Sequence, residues 1–103
     1  MQLSPLRTLL GQRYSFDTCR VIAGESATLY REPLEFRWYF LLLNRIFSEI
    51  IGNPDFHEAD TIDPILDVVF EYALKGVDAA EQGNVEVLLL CANQLTEAYT
   101  AIP

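Results

Sequence analysis

Few residues in this chain are equipped for chemistry. His57 is the only histidine, and it sits in the run Asp55-Phe56-His57-Glu58-Ala59-Asp60, with Asp63 three positions further on. Imidazole and carboxylates together bind zinc, manganese or iron, so a metal site would be built from His57, Glu58, Asp60 and Asp63. The local pattern gives that reading little support. The spaced Asp and Asn residues around a central glycine that make a calcium loop are missing. So is the Glu-x-x-His pair with which helical bundles hold two metals. The simpler reading is a solvated loop whose last acid, Asp63, caps a helix. Neither a metal nor a cofactor is expected.

Nucleophilic chemistry fares no better. Cys19 and Cys91 are the only cysteines, and neither lies in a recognisable nucleophile motif or at a spacing that ties it to His57. Cys91 falls on the apolar face of a helical pattern, where cysteine acts as a small hydrophobe. Both are expected as free thiols of the reducing cytoplasm, with a single disulfide as the alternative. Carboxylates are plentiful, but Asp63, Asp67 and Glu71 step by four along one outward ridge. General acid work needs a raised pKa, which a solvated ridge does not provide. The five glycines form no phosphate-cradling loop.

What remains are features of contact. Between Leu34 and Ile51 twelve apolar residues cover far more than one helical stripe, and only Arg37, Asn44, Arg45 and Ser48 form a narrow polar strip. A surface helix needs an apolar arc of about 100°, so this one is either central to the fold or half of an intermolecular contact. Tryptophan, tyrosine and arginine are enriched at binding hot spots. Arg37, Trp38, Tyr39, Leu42 and Arg45 are therefore the candidate partner-binding residues, with Asp67 and Glu71 on the acidic ridge. The competing reading makes Trp38 and its neighbours simply core.

Charge is distributed unevenly. Residues 1–50 carry six arginines against five acids, whereas residues 51–103 carry Lys75 against ten acids, for a net charge of −8 overall. Such a field repels phosphate backbones and anionic lipid headgroups and draws basic partners inward. No direct nucleic-acid or membrane binding is expected. The first ten residues lack a basic start followed by an apolar run, so no export signal is expected. The hydrophobic stretch from Trp38 to Ile51 is too short to span a bilayer and contains Arg45 and Glu49.

The elements that position these residues read as helices. Ser4-Pro5 opens the first, with Leu6, Leu9 and Leu10 on one face, and Gly11 weakens or ends it. Residues 12–32 are ambiguous. A helix capped by Asp17 competes with a hairpin of Cys19–Ile22 and Ala27–Tyr30, and so short a β-branched run does not arbitrate. Pro33 opens a long helix that Gly52 and Pro54 close. Asp63-Pro64 opens another, whose core face is Leu66, Val69, Phe70, Ala73, Val77 and Ala80, with Gly76 as a bend or break. Gly83-Asn84 turns the chain into a last helix that buries Leu88, Cys91, Ala92, Leu95 and Tyr99.

The run Ala79-Ala80-Glu81-Gln82-Gly83-Asn84-Val85-Glu86-Val87 resembles the helix–turn–helix step of an ankyrin repeat. No Thr-Pro-Leu-His run precedes it and no second copy follows at the expected period, so the resemblance implies a well-made turn and not a repeat protein.

The expectation is one domain over residues 1–103, an all-α compact four- to five-helix bundle, with an α+β fold carrying a short hairpin within 12–32 as the alternative. The function expected is a small non-enzymatic interaction module (adaptor, regulator or inhibitor), homodimeric and with a basic protein partner. The alternative is a metal- or small-ligand-binding bundle, enzymatic or not, that uses His57 and the nearby carboxylates.

Overall fold

Five helices account for nearly all of the backbone in the computed structural model, which describes residues 3–11, 16–29, 34–53 and 64–101. They are α1 (Ser4–Gly11), α2 (Phe16–Thr28), α3 (Leu34–Gly52), α4 (Pro64–Gln82) and α5 (Val85–Thr100). The protein is an all-α bundle with a radius of gyration of 12.7 Å, close to the value of about 13 Å for a compact chain of this length. All five helices contribute to one hydrophobic cluster.

The segment that read equally as helix or hairpin is helical. Residues 19–22 and 27–28 lie within α2, which Leu29 leaves in a 3₁₀ turn; Tyr30 and residues 12–15 lie outside the described residues. Tertiary packing decides the matter. Cys19, Ile22, Ala23 and Ser26 are buried, at the spacing of three and four that one helix face requires. α2 packs closely on α3, and the Asn44 side-chain amide on α3 donates to the carbonyl oxygen of Ala23 at 2.7 Å.

α1 begins at Ser4, and the Arg7 amide already bonds to the Leu3 carbonyl oxygen at 2.8 Å. The helix thus starts one residue earlier than a Ser4 cap implies. Leu3, Leu6 and Leu10 are buried beneath it. On its outer side the Arg7 guanidinium reaches Asp78 at 2.7 Å and also pairs with Glu81, both on α4. One cation thereby holds two members of the acidic half.

Gly76 is neither a bend nor a break, since α4 runs unbroken from Pro64 to Gln82. Its role is close approach. A Cβ placed at Gly76 would fall on the hydroxyl and Cζ of Tyr39. The Tyr39 ring, fully buried, lies across α4 there and its hydroxyl donates to the carbonyl oxygens of Ala73 at 2.9 Å and Tyr72 at 3.3 Å. Further along the same antiparallel pair, Phe47 and Phe70 meet edge to face with centroids 5.5 Å apart.

The α4–α5 connection is a Schellman motif. Gly83 has φ +71°, the left-handed conformation that glycine adopts without penalty. The Gly83 amide bonds to Ala80 O at 3.2 Å and the Asn84 amide to Ala79 O at 2.8 Å. The Asn84 side-chain oxygen then accepts from the Val87 amide at 3.2 Å, capping α5. One pair of residues therefore satisfies both helix ends and turns α5 antiparallel to α4, hence parallel to α3.

Gly76→Ala sets two effects against each other. Alanine gains about 1 kcal/mol over glycine in a helix interior, whereas overpacking against a fully buried ring costs about 3 kcal/mol. The expected net loss is about 2 kcal/mol. Tyr39→Phe loses one hydrogen bond and costs about 1 kcal/mol. Because that change removes the atom a new Cβ meets first, the double variant loses less than the two single losses combined. Urea unfolding followed by circular dichroism measures all three; a Gly76→Ala variant as stable as the parent contradicts the close approach.

Candidate functional site

α3 presents its broad apolar surface in two directions. Phe36, Tyr39, Phe40, Leu43, Ile46, Phe47 and Ile50 point inward and are buried. On the opposite side Trp38, Leu41 and Arg45 follow one another at i, i+3 and i+7, which puts them on a single ridge. Trp38 is 37 % exposed and Leu41 52 %.

α5 lies parallel to this ridge, and the two helices touch far less than α4 and α5 or α2 and α3 do. Between them runs a groove. Its upper part, about 450 Å³, is walled by Trp38, Leu41 and Leu42 from α3 and by Leu89, Ala92 and Asn93 from α5. Its lower part, about 310 Å³, continues past Ile46, Tyr99 and Thr100, and Leu42, Arg45 and Thr96 line both parts. Leu89 is 50 % exposed. Thr96 and Thr100 donate their hydroxyl protons back to Ala92 O and Glu97 O at 2.8 Å each, which leaves the walls largely apolar.

Arg45 is the one charged residue that lines the groove. Its guanidinium lies over the Tyr99 ring, 5.9 Å from the centroid, and this cation–π contact holds it at the groove's lower end. Among the described residues no carboxylate pairs with it.

The residues singled out from sequence divide three ways. Trp38, Leu42 and Arg45 line the groove. Arg37 is half-buried and already engaged in an interaction of its own. Tyr39 is a correction: it is a core residue, with no exposed surface and its hydroxyl bonded to α4, and cannot touch a partner. The arc of α3 that holds Tyr39 is fixed by the gap that Gly76 leaves.

Asp67 and Glu71 stand exposed on the outward ridge of α4 and do not line the groove. Glu71 is paired with Lys75 at 3.2 Å, and this hydrogen bond raises the lysine pKa. With Arg7 holding Asp78 and Glu81, the acidic ridge is partly neutralised from within the chain. The residues that sequence reasoning missed are Leu89, Asn93 and Thr96. Leu89 follows directly on Leu88 of the buried face, and its exposure continues the Asn93 and Thr96 ridge.

His57, Glu58, Asp60 and Asp63 lie outside the described residues. Among the described ones no three His, Cys, Asp or Glu side chains gather as a metal site would require, and no helix is long and apolar enough to cross a membrane. Cys19 and Cys91 are both free and buried. Burial disfavours the thiolate, pushing Cys19 up to about 12 and raising Cys91, against which the Lys75 ammonium acts in part. Burial also pushes the Tyr39 phenol up, with the nearby Cys91 adding to it. Such thiols are poor nucleophiles at neutral pH.

The fold and the groove together define a small helical bundle with an open apolar trough. The chain matches no family model, no curated protein and no solved structure.

The buried thiols make two expectations. Thiol reagents at mildly alkaline pH should leave Cys19 unmodified in the folded protein and label it on unfolding; rapid labelling of folded protein contradicts its burial. Stability should be level through neutral pH and fall as pH rises above about 9, where the unfolded chain's cysteines ionise, toward the folded value of about 12. Denaturant midpoints across that range measure the fall.

Proposed function

We propose that this chain is a small non-enzymatic interaction module, an adaptor, regulator or inhibitor, which acts through the apolar α3–α5 face and the acidic α4 ridge. The observation that carries the reading is the trio Trp38, Leu41 and Leu89, exposed along the walls of one groove. Large apolar side chains exposed singly are ordinary, but a contiguous patch along a groove marks a surface that something covers. A trough between two parallel helices accepts apolar anchors spaced along an element of the binding partner. Trp38 and Arg45 are of the residue types that carry binding energy.

The acidic ridge has a different part. Asp67 is exposed in the first turn of α4, and together with the net charge of −8 it draws basic proteins toward the molecule and raises association rates. The same field disfavours nucleic acid and anionic lipid. We place the protein in the reducing cytoplasm, where Cys19 and Cys91 stay thiols.

A photo-crosslinking residue placed at Leu41, with one at the exposed α2 position Ala27 as control, tests the groove in the intact protein within its own cell. The expected result is a discrete adduct from position 41 and none from position 27. No adduct from position 41, nor from Leu89 treated likewise, removes the groove as a contact surface. For a basic partner so captured, Asp67→Lys combined with Glu71→Lys should slow association by roughly tenfold at low salt. An unchanged rate would remove the ridge from the proposal.

A further inference from the structure

The ridges that border the α3–α5 groove run out into carboxylates. On α3 the outward order is Trp38, Leu41, Arg45, Glu49; on α5 it is Glu86, Leu89, Asn93, Glu97, and every one of these is exposed. Steps of three and four keep each set on one side of its helix. Glu86 stands beyond the upper part of the groove, while Glu49 and Glu97 follow Arg45 and Asn93 toward its foot.

On α4 the chain answers its own acids: Arg7 holds Asp78 and Glu81, and Lys75 holds Glu71. Beside the groove it does not. Among the described residues Glu49, Glu86 and Glu97 enter no ion pair. The single cation on these ridges, Arg45, lies over the Tyr99 ring. Three acids therefore surround an apolar trough against one base, in a chain whose net charge is −8.

The shape of the trough restricts what can enter. Both walls are helices, which use their backbone groups internally, so an added strand finds no edge to extend. A polyproline segment docks on a row of aromatic rings, whereas here Trp38 and Tyr99 line opposite ends. A helix suits it. The α5 wall from Leu89 to Thr100 runs roughly 16 Å, about three helical turns, which takes apolar anchors at i, i+3 or i+4 and i+7. Lysine or arginine beside those anchors lays its aliphatic stem along the apolar walls and carries its charge out to the rim, where the carboxylates stand.

We infer that the occupant of the groove is an amphipathic helix of a partner protein whose apolar stripe is flanked by lysine or arginine. The inference rests on the groove being a contact surface, as proposed above, and names the chemistry that fills it.

Three synthetic peptides of about eighteen residues, long enough to form a helix on the wall, test it against the full chain. The first places leucine at i, i+3, i+4 and i+7 with lysine between. The second has glutamine in place of lysine. The third keeps the composition of the first but disperses the leucines around the helix. None contains tryptophan, so Trp38, the only one in the chain, reports on the groove. The leucine–lysine peptide is expected to shift Trp38 emission to the blue and to bind roughly tenfold more tightly than either of the others. Leu41→Asp should weaken that binding roughly tenfold or more. Glu49→Lys combined with Glu97→Lys should weaken it several-fold more than Asp67→Lys combined with Glu71→Lys, which changes the net charge equally. The comparison is made at physiological salt, where charges more than about 8 Å away are screened. All these positions are exposed, and circular dichroism of each variant checks that it folds.

Either of the other peptides binding as tightly as the leucine–lysine one overturns the inference. So does an equal loss from the two charge reversals, because the carboxylates beside the groove would then act through net charge alone. A leucine–lysine peptide that leaves Trp38 unmoved overturns it too. In that case an adduct from position 41, to a foreign protein or to a second copy of this chain, keeps the groove as a contact surface; no adduct rejects both.

Discussion

The hydroxyl of Tyr39 occupies the space that a side chain at position 76 would need, and the helices around it are arranged by that contact. The absence of a side chain at Gly76 lets the Tyr39 ring lie directly against the α4 backbone, and the bonds to Ala73 O and Tyr72 O fix its depth and direction. The contact selects which arc of α3 turns inward. α3 is apolar on nearly every side, so its own composition leaves several rotations about the axis almost equivalent. With Tyr39 inward, Phe40, Leu43 and Phe47 follow into the core, and Trp38, Leu41 and Arg45 must face out.

The groove is a consequence of this choice and of how α5 is attached. Gly83 and Asn84 end one helix and begin the next with few unsatisfied backbone groups, so α5 is bound firmly to α4 and packs closely along it. α4 thus serves as a common support. α3 is keyed to it through Tyr39 and α5 is hinged to it through the turn, and their outer flanks meet only loosely. A trough remains where two apolar ridges stand side by side with little filling between them. Arg7, reaching from α1 to Asp78 and Glu81, tempers repulsion at the acidic end of α4. The pairs are exposed, so their contribution to stability is small.

Much of the fold could be read from local signals. Asn84 and Gly83 sit where helix ends need them, and the three- and four-residue spacing in α4 named its buried face correctly from Leu66 to Ala80. α2 was undecidable locally because Cys19-Arg20-Val21-Ile22 suits strand or helix, and only its packing on α3 settles it. From α3 alone Tyr39 reads equally as a partner-binding residue or as core, for a related reason. Its partner, Gly76, lies 37 positions away, and periodicity within one helix carries no information about a gap on another. The same limit hid the α5 wall of the groove. Leu89 looks like core when α5 is read alone, and its exposure follows from the distance that α3 keeps.

The outward ridges of α3 and α5 are proposed to meet a binding partner while the Tyr39–Gly76 contact stays internal. Backbone hydrogen exchange of the intact protein, alone and with the partner that position 41 captures, tests this without any substitution. The proposal predicts that amides over 38–45 and 86–93 gain protection in the complex, while those around Gly76 do not change. Protection that is unchanged along both ridges, or that appears instead along the outward side of α4, would contradict it.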